Sequence, residues 1–362
     1  MHYQAYLPEG ASGLLRKALF LNIFEIMDFI TSPYRRLFAV IALVILSGTS
    51  FTLAQNTELG THDPVMIKHD GVYYLFATGR GIQVASSTDM VNWTRMEPVF
   101  ADDPSWVNDT LVPGHRRNDF WAPDIAFHNG RYYLYYSVSS FGRNTSAIGV
   151  ASNKTLDPAD PDFEWVDHGC LVNSIAGKHD WNAIDPNLVF DVEGVPWLNF
   201  GSWWGGIKMV RLNPDLISIA QPERWLTLAA RERSFRPEDR ENDRPGIEAP
   251  FIFRKNGYYY LFVSYDHCCR GVRSDYNMVV GRSEKVTGPY LDRDGVDMRY
   301  GGHTQVLKGN ENWPGVGHNS AYTFDGKDYL IFHGYDAKDR GRSKLLIREI
   351  KWDEEGWPVV EL

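Results

Sequence analysis

The sequence predicts an all-β chain folded as a five-bladed β-propeller, and three observations carry that expectation. A unit of Gly, an aromatic-rich stretch and Leu recurs five times: Gly71-Val-Tyr-Tyr-Leu-Phe, Gly130-Arg-Tyr-Tyr-Leu-Tyr, Gly194-Val-Pro-Trp-Leu-Asn, Gly257-Tyr-Tyr-Tyr-Leu-Phe and Gly326-Lys-Asp-Tyr-Leu-Ile. The five glycines are 59, 64, 63 and 69 residues apart, the kind of fixed period that marks a repeat architecture. Each follows Asp, Asn or Glu, so Asp70-Gly71, Asn129-Gly130, Glu193-Gly194, Asn256-Gly257 and Asp325-Gly326 read as tight hairpin turns. Long helical patterns are scarce after residue 55. Repeated strand–turn–strand–strand units fit a propeller; a β-sandwich is the blander alternative, and the period is too wide for a β-helix.

The elements follow in order. Upstream of each turn lies a short apolar strand: Val65–Lys68, Ile125–His128, Leu188–Phe190, Phe251–Arg254 and Ala321–Phe324. Downstream, Ile82–Ser86, Ala147–Ala151, Ile207–Leu212 and Met278–Arg282 suggest a third strand. The polar stretch Arg231–Gly246 reads as a solvated loop between blades three and four. No low-complexity linker divides residues 55–362, which read as one domain.

Residues 1–54 differ in kind. Arg35-Arg36 precede the apolar run Leu37–Leu46, and small and polar residues lead to Thr52-Leu53-Ala54-Gln55. That order is a secretory signal, assigned to residues 27–54 with translation starting at Met27. The apolar run is half the ~20 residues that a membrane span needs. The expectation is therefore a secreted chain, extracellular or periplasmic, acting as a monomer with no membrane partner once the leader is removed.

Composition narrows the function. The chain carries 12 Trp, 19 Tyr and 19 Phe and a net charge of −9. An acidic balance argues against nucleic acid as a partner, and three cysteines cannot build a disulfide scaffold. Rings that stack on sugar C–H faces and carboxylates that perform glycosidic chemistry point to carbohydrate.

The repeats bring acids into register. Asp63 lies eight residues before its turn glycine, Asp185 nine, Glu248 nine and His318 eight, while Asp124 lies six before Gly130. Inner strands of a propeller start near its axis, so three or four acids and a histidine should ring one mouth. Asp63-Pro64 and Asp185-Pro186 are also ordinary turn-opening pairs, but matching places in separate repeats favour a site. Two carboxylates about a shared pocket are what glycoside hydrolysis requires. A third raises its neighbour's pKa by repulsion.

These residues carry a family resemblance. His62-Asp63-Pro64, Trp121-Ala122-Pro123-Asp124, Trp181 to Asn187, Gly201 to Gly206, Ile247-Glu248-Ala249-Pro250 and Gly317-His318-Asn319 together resemble family-43 glycoside hydrolases. Within that family they are most similar to the arabinanases that cut α-1,5-linked arabinan, a side chain of pectin. The resemblance covers about residues 58–352. It implies an inverting enzyme with Asp63 as general base, Glu248 as general acid, and Asp185 raising the pKa of Glu248 and orienting it. Inversion implies a carboxyl separation of roughly 6.5–9.5 Å between Asp63 and Glu248. Phe141 and Gly142 resemble an aromatic platform; Trp121, Asn182, Ser202, Trp203 and Trp204 look like substrate contacts. Core packing competes for the Trp203–Trp204 pair, because strand alternation puts one of two neighbours on each face.

The same resemblance implies a metal on His318, usually calcium, with waters filling the other positions. Calcium prefers oxygen ligands, so one nitrogen plus waters makes a weak site with a structural or electrostatic role. Cys268-Cys269 resemble a vicinal pair near the arabinanase cleft, either bonded or reduced, with secretion favouring the bond. Cys170 has no evident partner. The same fold could serve a β-xylosidase or an α-L-arabinofuranosidase. A non-catalytic carbohydrate-binding propeller would keep the rings but has no need of three acids. Endo or exo action depends on whether the cleft is open at both ends and stays open at this point.

Overall fold

The computed structural model describes residues 55–231 and 246–362. The leader expected at 27–54 and nearly all of the polar loop Arg231–Gly246 lie outside the described residues. Five antiparallel sheets form the blades of a propeller. From the inside outward, blade one runs Val65–His69, Val72–Ala77, Gln83–Ser87 and Thr94–Met96. Blade two runs Asp119–His128, Arg131–Val138, Ser146–Asn153 and Val166–Ser174, with the short strand Gly79–Arg80 added on its inner edge. Blade three comprises Asn187–Phe190, Pro196–Phe200, Ile207–Arg211 and Trp225–Ala229. Blade four comprises Ile247–Lys255, Tyr258–Tyr265, Asn277–Ser283 and Thr304–Lys308. Blade five takes Val316–Phe324, Lys327–Asp336 and Arg342–Glu349 from the end of the chain. Its outer strand, Gln55–Gly60, comes from the beginning. Each blade thus has at least four strands where the repeat pattern suggested three. Among the described residues there is no α-helix, and no helix is long and apolar enough to cross a membrane.

Packing explains the aromatic repeats. A strand shows alternate residues to opposite faces, and a blade is covered on both faces by its neighbours. In Val72–Ala77, Tyr74 and Phe76 join a core with blade two, while Tyr73 and Leu75 join one with blade five. In Tyr258–Tyr265, Tyr259, Leu261 and Val263 face blade three, and Tyr260 and Phe262 face blade five. Each such side chain contributes about 1.5–3 kcal/mol of burial. The rings that hinted at sugar are therefore mostly inter-blade core.

Four of the five turns are two-residue hairpins with both residues at positive φ, for example Asp70 at 48° and Gly71 at 81°. That is the geometry whose twist matches the strands, and it explains Asp/Asn-Gly. The third turn differs from expectation. Asp191 N–H bonds Val195 O at 3.0 Å, so Glu193-Gly194 closes a loop one residue longer.

Candidate active site

The extra residue in the third turn resolves the register. Measured from the last paired residue of each inner strand, Asp63, Ala122, Asp185, Ala249 and His318 are equivalent, six residues before His69, His128, Asp191, Lys255 and Phe324. All five adopt left-handed backbone, φ 52°, 42°, 58°, 54° and 52°. A non-glycine residue pays about 1–2 kcal/mol for that conformation. In blades two, four and five a bulge in the inner strand sits here, and bulges re-aim side chains. Pro64, Pro123, Pro186 and Pro250 follow in four blades, where a bulge tolerates the missing N–H.

This corrects two expectations. Glu248 is one residue ahead of the position that Asp63 and Asp185 share, level with His62, Trp121, Ile184 and Gly317. Asp124 does not reach the mouth. It is buried below it, where Oδ2 accepts the Leu188 N–H at 2.7 Å and Asn187 Nδ2 at 3.3 Å, tying blade two to blade three. Burial pushes its pKa up to about 7, against those hydrogen bonds.

Inter-blade hydrogen bonds hold the five turned residues. Their backbone N–H groups donate to the end of the neighbouring blade's second strand: Asp63 to His333 Nδ1 at 3.1 Å, Ala122 to Thr78 Oγ1 at 2.8 Å, Asp185 to Ser137 Oγ at 3.0 Å and His318 to Ser264 Oγ at 2.8 Å. Ala249 instead donates to Asp185 Oδ2 at 3.0 Å.

One cavity of about 780 Å³ opens over this ring. Asp63, Asp185, Glu248, His318, Trp121, Asn182, Ser202, Trp203, Trp204, Phe141 and Gly142 all line it. The residues that the family resemblance singled out for the site are therefore brought together, and Asp124 is not among them. Phe141 is 80% exposed, too open for a core ring and suited to stacking. Trp203 and Trp204 sit in a turn at φ 57° and 36°, so strand alternation does not separate them and both reach the cavity. Asn182 is buried, and its Oδ1 accepts from Ser146 Oγ at 2.7 Å.

The electrostatics differ from acid to acid. Asp63 Oδ1 lies 2.8 Å from His62 Nδ1 and 2.9 Å from His318 Nδ1, and Thr78 Oγ1 donates to Oδ2 at 2.5 Å. Burial alone would raise this carboxyl, but His318 and His62 outweigh it and hold it well below the usual range. Asp185 is pushed up to about 8 by burial, opposed by His318 and reinforced by Glu248 and Asp63. Glu248 Oε2 accepts from Ser202 Oγ at 2.9 Å and Trp203 Nε1 at 3.2 Å. Burial would lower His318, yet Asp63, Asp185 and Glu248 raise it to about 9.

For a metal on His318 the donor chemistry fits in one respect. Nδ1 is engaged by Asp63, which leaves Nε2 as the ligand atom, the carboxylate–histidine arrangement common behind metal-binding imidazoles. His62, Asp63 and His333 also cluster closely enough to hold an ion, but they already bond one another and Tyr335.

Sequence reasoning passed over Thr78, His333 and Tyr335, and did not single out Arg143, His267 or Arg270 on the cavity wall. Cys268 and Cys269 line the wall and are bonded to each other; Cys170 is free.

The model of the glycosyl hydrolases family 43 matches residues 57–358. The extracellular exo-α-(1→5)-L-arabinofuranosidase of Cellvibrio japonicus is 50% identical over 306 residues, 84% of this chain and 87% of that protein. The extracellular endo-α-(1→5)-L-arabinanase 1 of Bacillus subtilis is 40% identical over 337 residues, 90% of this chain and 98% of that protein. Among solved structures, the Cellvibrio cellulosa α-L-arabinanase complexed with arabinohexaose superposes with a TM-score of 0.80 at 50% identity, covering 84% of this chain and 96% of the other.

Proposed function

The chain belongs to the glycosyl hydrolases family 43, and from that premise we propose that it is a secreted enzyme cleaving α-1,5-L-arabinofuranosidic linkages in arabinan with inversion at the anomeric carbon. The observation that supports it best is the contrast between two carboxyls in one cavity. Asp63 is held ionised by imidazoles and a hydroxyl, while Glu248 turns Oε2 to the donors Ser202 Oγ and Trp203 Nε1, so that Oε1 is the oxygen placed to serve the leaving group.

In this mechanism Asp63 is the general base. It takes a proton from a water that attacks the anomeric carbon on the face opposite the leaving sugar. Glu248 is the general acid, and Oε1 delivers its proton to the departing glycosidic oxygen. Asp185 modulates that acid and anchors its strand through Ala249. Trp121, Asn182, Ser202, Trp203, Trp204, Phe141 and Gly142 form the sugar-binding wall. His318 would hold calcium through Nε2; when bound, the ion supplies positive charge beside the three carboxylates.

Endo action is one reading of the cleavage pattern, in line with the 40% identity to a protein named for endo action. Exo release is the second, favoured by the 50% identity to a protein named for exo action. Incubation with linear arabinan tests the activity: arabino-oligosaccharides or arabinose should appear, and action on xylo-oligosaccharides alone would overturn the substrate.

A further inference from the structure

We propose that Thr78 is a positioning residue for the hydrolytic water: it leaves Asp63 a single open lone pair, on Oδ2, and so fixes the oxygen that receives the proton. This rests on the reading of Asp63 as the base.

The hydrogen bonds can be followed atom by atom. An ionised carboxylate has about four lone-pair sites, two on each oxygen. His333 Nδ1 accepts the Asp63 N–H at 3.1 Å, so its ring proton is on Nε2, which faces Tyr335 Oη at 3.3 Å. That phenol oxygen also accepts the Cys269 N–H at 2.7 Å. With two donors on its oxygen, the Tyr335 hydroxyl donates to His62 Nε2 at 3.0 Å. His62 therefore carries its proton on Nδ1 and gives it to Asp63 Oδ1 at 2.8 Å. His318 Nδ1 is the second donor to that oxygen, at 2.9 Å. Oδ1 is full.

Among the described residues Oδ2 receives one donor. Thr78 Oγ1 accepts the Ala122 N–H at 2.8 Å, which turns the hydroxyl proton onto Oδ2 at 2.5 Å. The one site left on the carboxylate belongs to Oδ2, and Thr78 decides which of its two positions stays open. Thr78 itself lines the cavity, so the open position lies where substrate and water meet. In the step that follows, the water oxygen bonds the anomeric carbon and its proton moves to Oδ2. The bond to the glycosidic oxygen breaks, and that oxygen keeps the electron pair and takes the proton of Glu248.

The test is steady-state hydrolysis of a linear α-1,5-arabino-oligosaccharide of defined length by Thr78→Val, Thr78→Ser and Asp63→Ala. Removing the hydroxyl should lower kcat roughly 10- to 100-fold, the range for a hydrogen bond to a charged group. KM should stay within about twofold, because a group acting only on the reacting water leaves ground-state binding alone. Thr78→Ser keeps the hydroxyl and should recover to within about threefold of the parent on the same reasoning. Azide attacks without giving up a proton, so it should accelerate Thr78→Val and yield the arabinosyl azide from an aryl arabinofuranoside. If Thr78→Val does not fold, Thr78→Ala is read the same way. Parental kcat in Thr78→Val beside an inactive Asp63→Ala overturns the role of Thr78 and leaves the base intact. Equal loss in the Ser and Val variants overturns it too, since packing rather than the hydroxyl would then matter. Full activity in Asp63→Ala overturns both.

Discussion

The backbone N–H of Ala249 donates to Oδ2 of Asp185 at 3.0 Å, where the other four blades use a hydroxyl or imidazole from the neighbouring second strand. The equivalent second-strand position in blade three is Gly201, at φ +134°, and a Cβ there would lie 2.6 Å from Gly206 O. No hydroxyl can stand at that place, and the carboxyl of Asp185 supplies the acceptor instead. Asp185 thereby joins its own strand to the one that carries Glu248.

Replacing Asp185 should therefore separate structure from chemistry. At pH 6, below its raised pKa of about 8, Asp185→Ala leaves a buried N–H unpaired and should cost about 1–3 kcal/mol. Asp185→Asn keeps an amide oxygen for Ala249 and should cost less than about 1 kcal/mol on the same grounds. Both should lower kcat by at least about tenfold, the low end for a group that tunes an acid. Urea unfolding beside kinetics reads the two effects.

The proposed acid and base should respond differently to the leaving group. On arabinan, Asp63→Ala and Glu248→Ala should each lose about 10²–10⁴ in kcat. On an aryl arabinofuranoside with an acidic phenol, departure needs no proton. Glu248→Ala should recover most of its rate there and Asp63→Ala should not. Recovery in the opposite sense would exchange the two roles.

Inversion is visible in the first product. Proton NMR during the early minutes of hydrolysis should show the β-anomer of the new reducing end before mutarotation mixes the two. An initial α-anomer would mean retention. The same samples, followed by chromatography, give the cleavage mode: mixed lengths from the start for endo action, a single short product for exo.

Stability should fall as pH rises from about 4 to about 7, and Asp124 should account for part of it. Its folded pKa of about 7 lies above the unfolded value of about 3.9, so between them the folded state binds the extra proton. The group's contribution is complete below pH ~4 and is lost by pH ~7, a change on the order of 4 kcal/mol. Asp185 acts in the same sense and remains in the variant. The gap in unfolding free energy between Asp124→Asn and the parent should therefore widen in the variant's favour from pH 4 to pH 8. A constant gap would remove Asp124 from the account.

A calcium site on His318 should appear in elemental analysis. The protein in equilibrium dialysis against calcium should retain about one ion per chain above the buffer level, held weakly because calcium prefers oxygen ligands. His318→Ala should retain none.

Much of this was written plainly in the chain. Asp/Asn-Gly turns and alternating apolar strands gave the five blades because both signals are local. The outer strands escaped because they lack a repeated turn; Thr94–Met96 and Thr304–Lys308 look like nothing in particular. The acids were found by counting back from the turn glycines, and one longer turn made Glu248 look equivalent to Asp185. Counting forward would have found more. Seven residues after each glycine stand Thr78, Ser137, Gly201, Ser264 and His333, and all but Gly201 accept the N–H of a neighbouring blade's turned residue. What no counting reaches is the Cys269–Tyr335 bond, 66 residues apart, or the paired turn conformations of Trp203 and Trp204, because packing alone fixes them.

The outer strand of blade five joins the two ends of the propeller. Gln55–Gly60 is made before every other described strand, yet its partner Arg342–Glu349 is among the last residues made. A ribosome must deliver nearly the entire chain before the ring can be fastened, and contacts so distant in sequence fold slowly. Until then Arg342–Glu349 is an open sheet edge, a template on which another copy could pair. Trimming the molecule before residue 61 would make that interim hazard permanent, so aggregation rather than lost catalysis is the first cost of a shortened start.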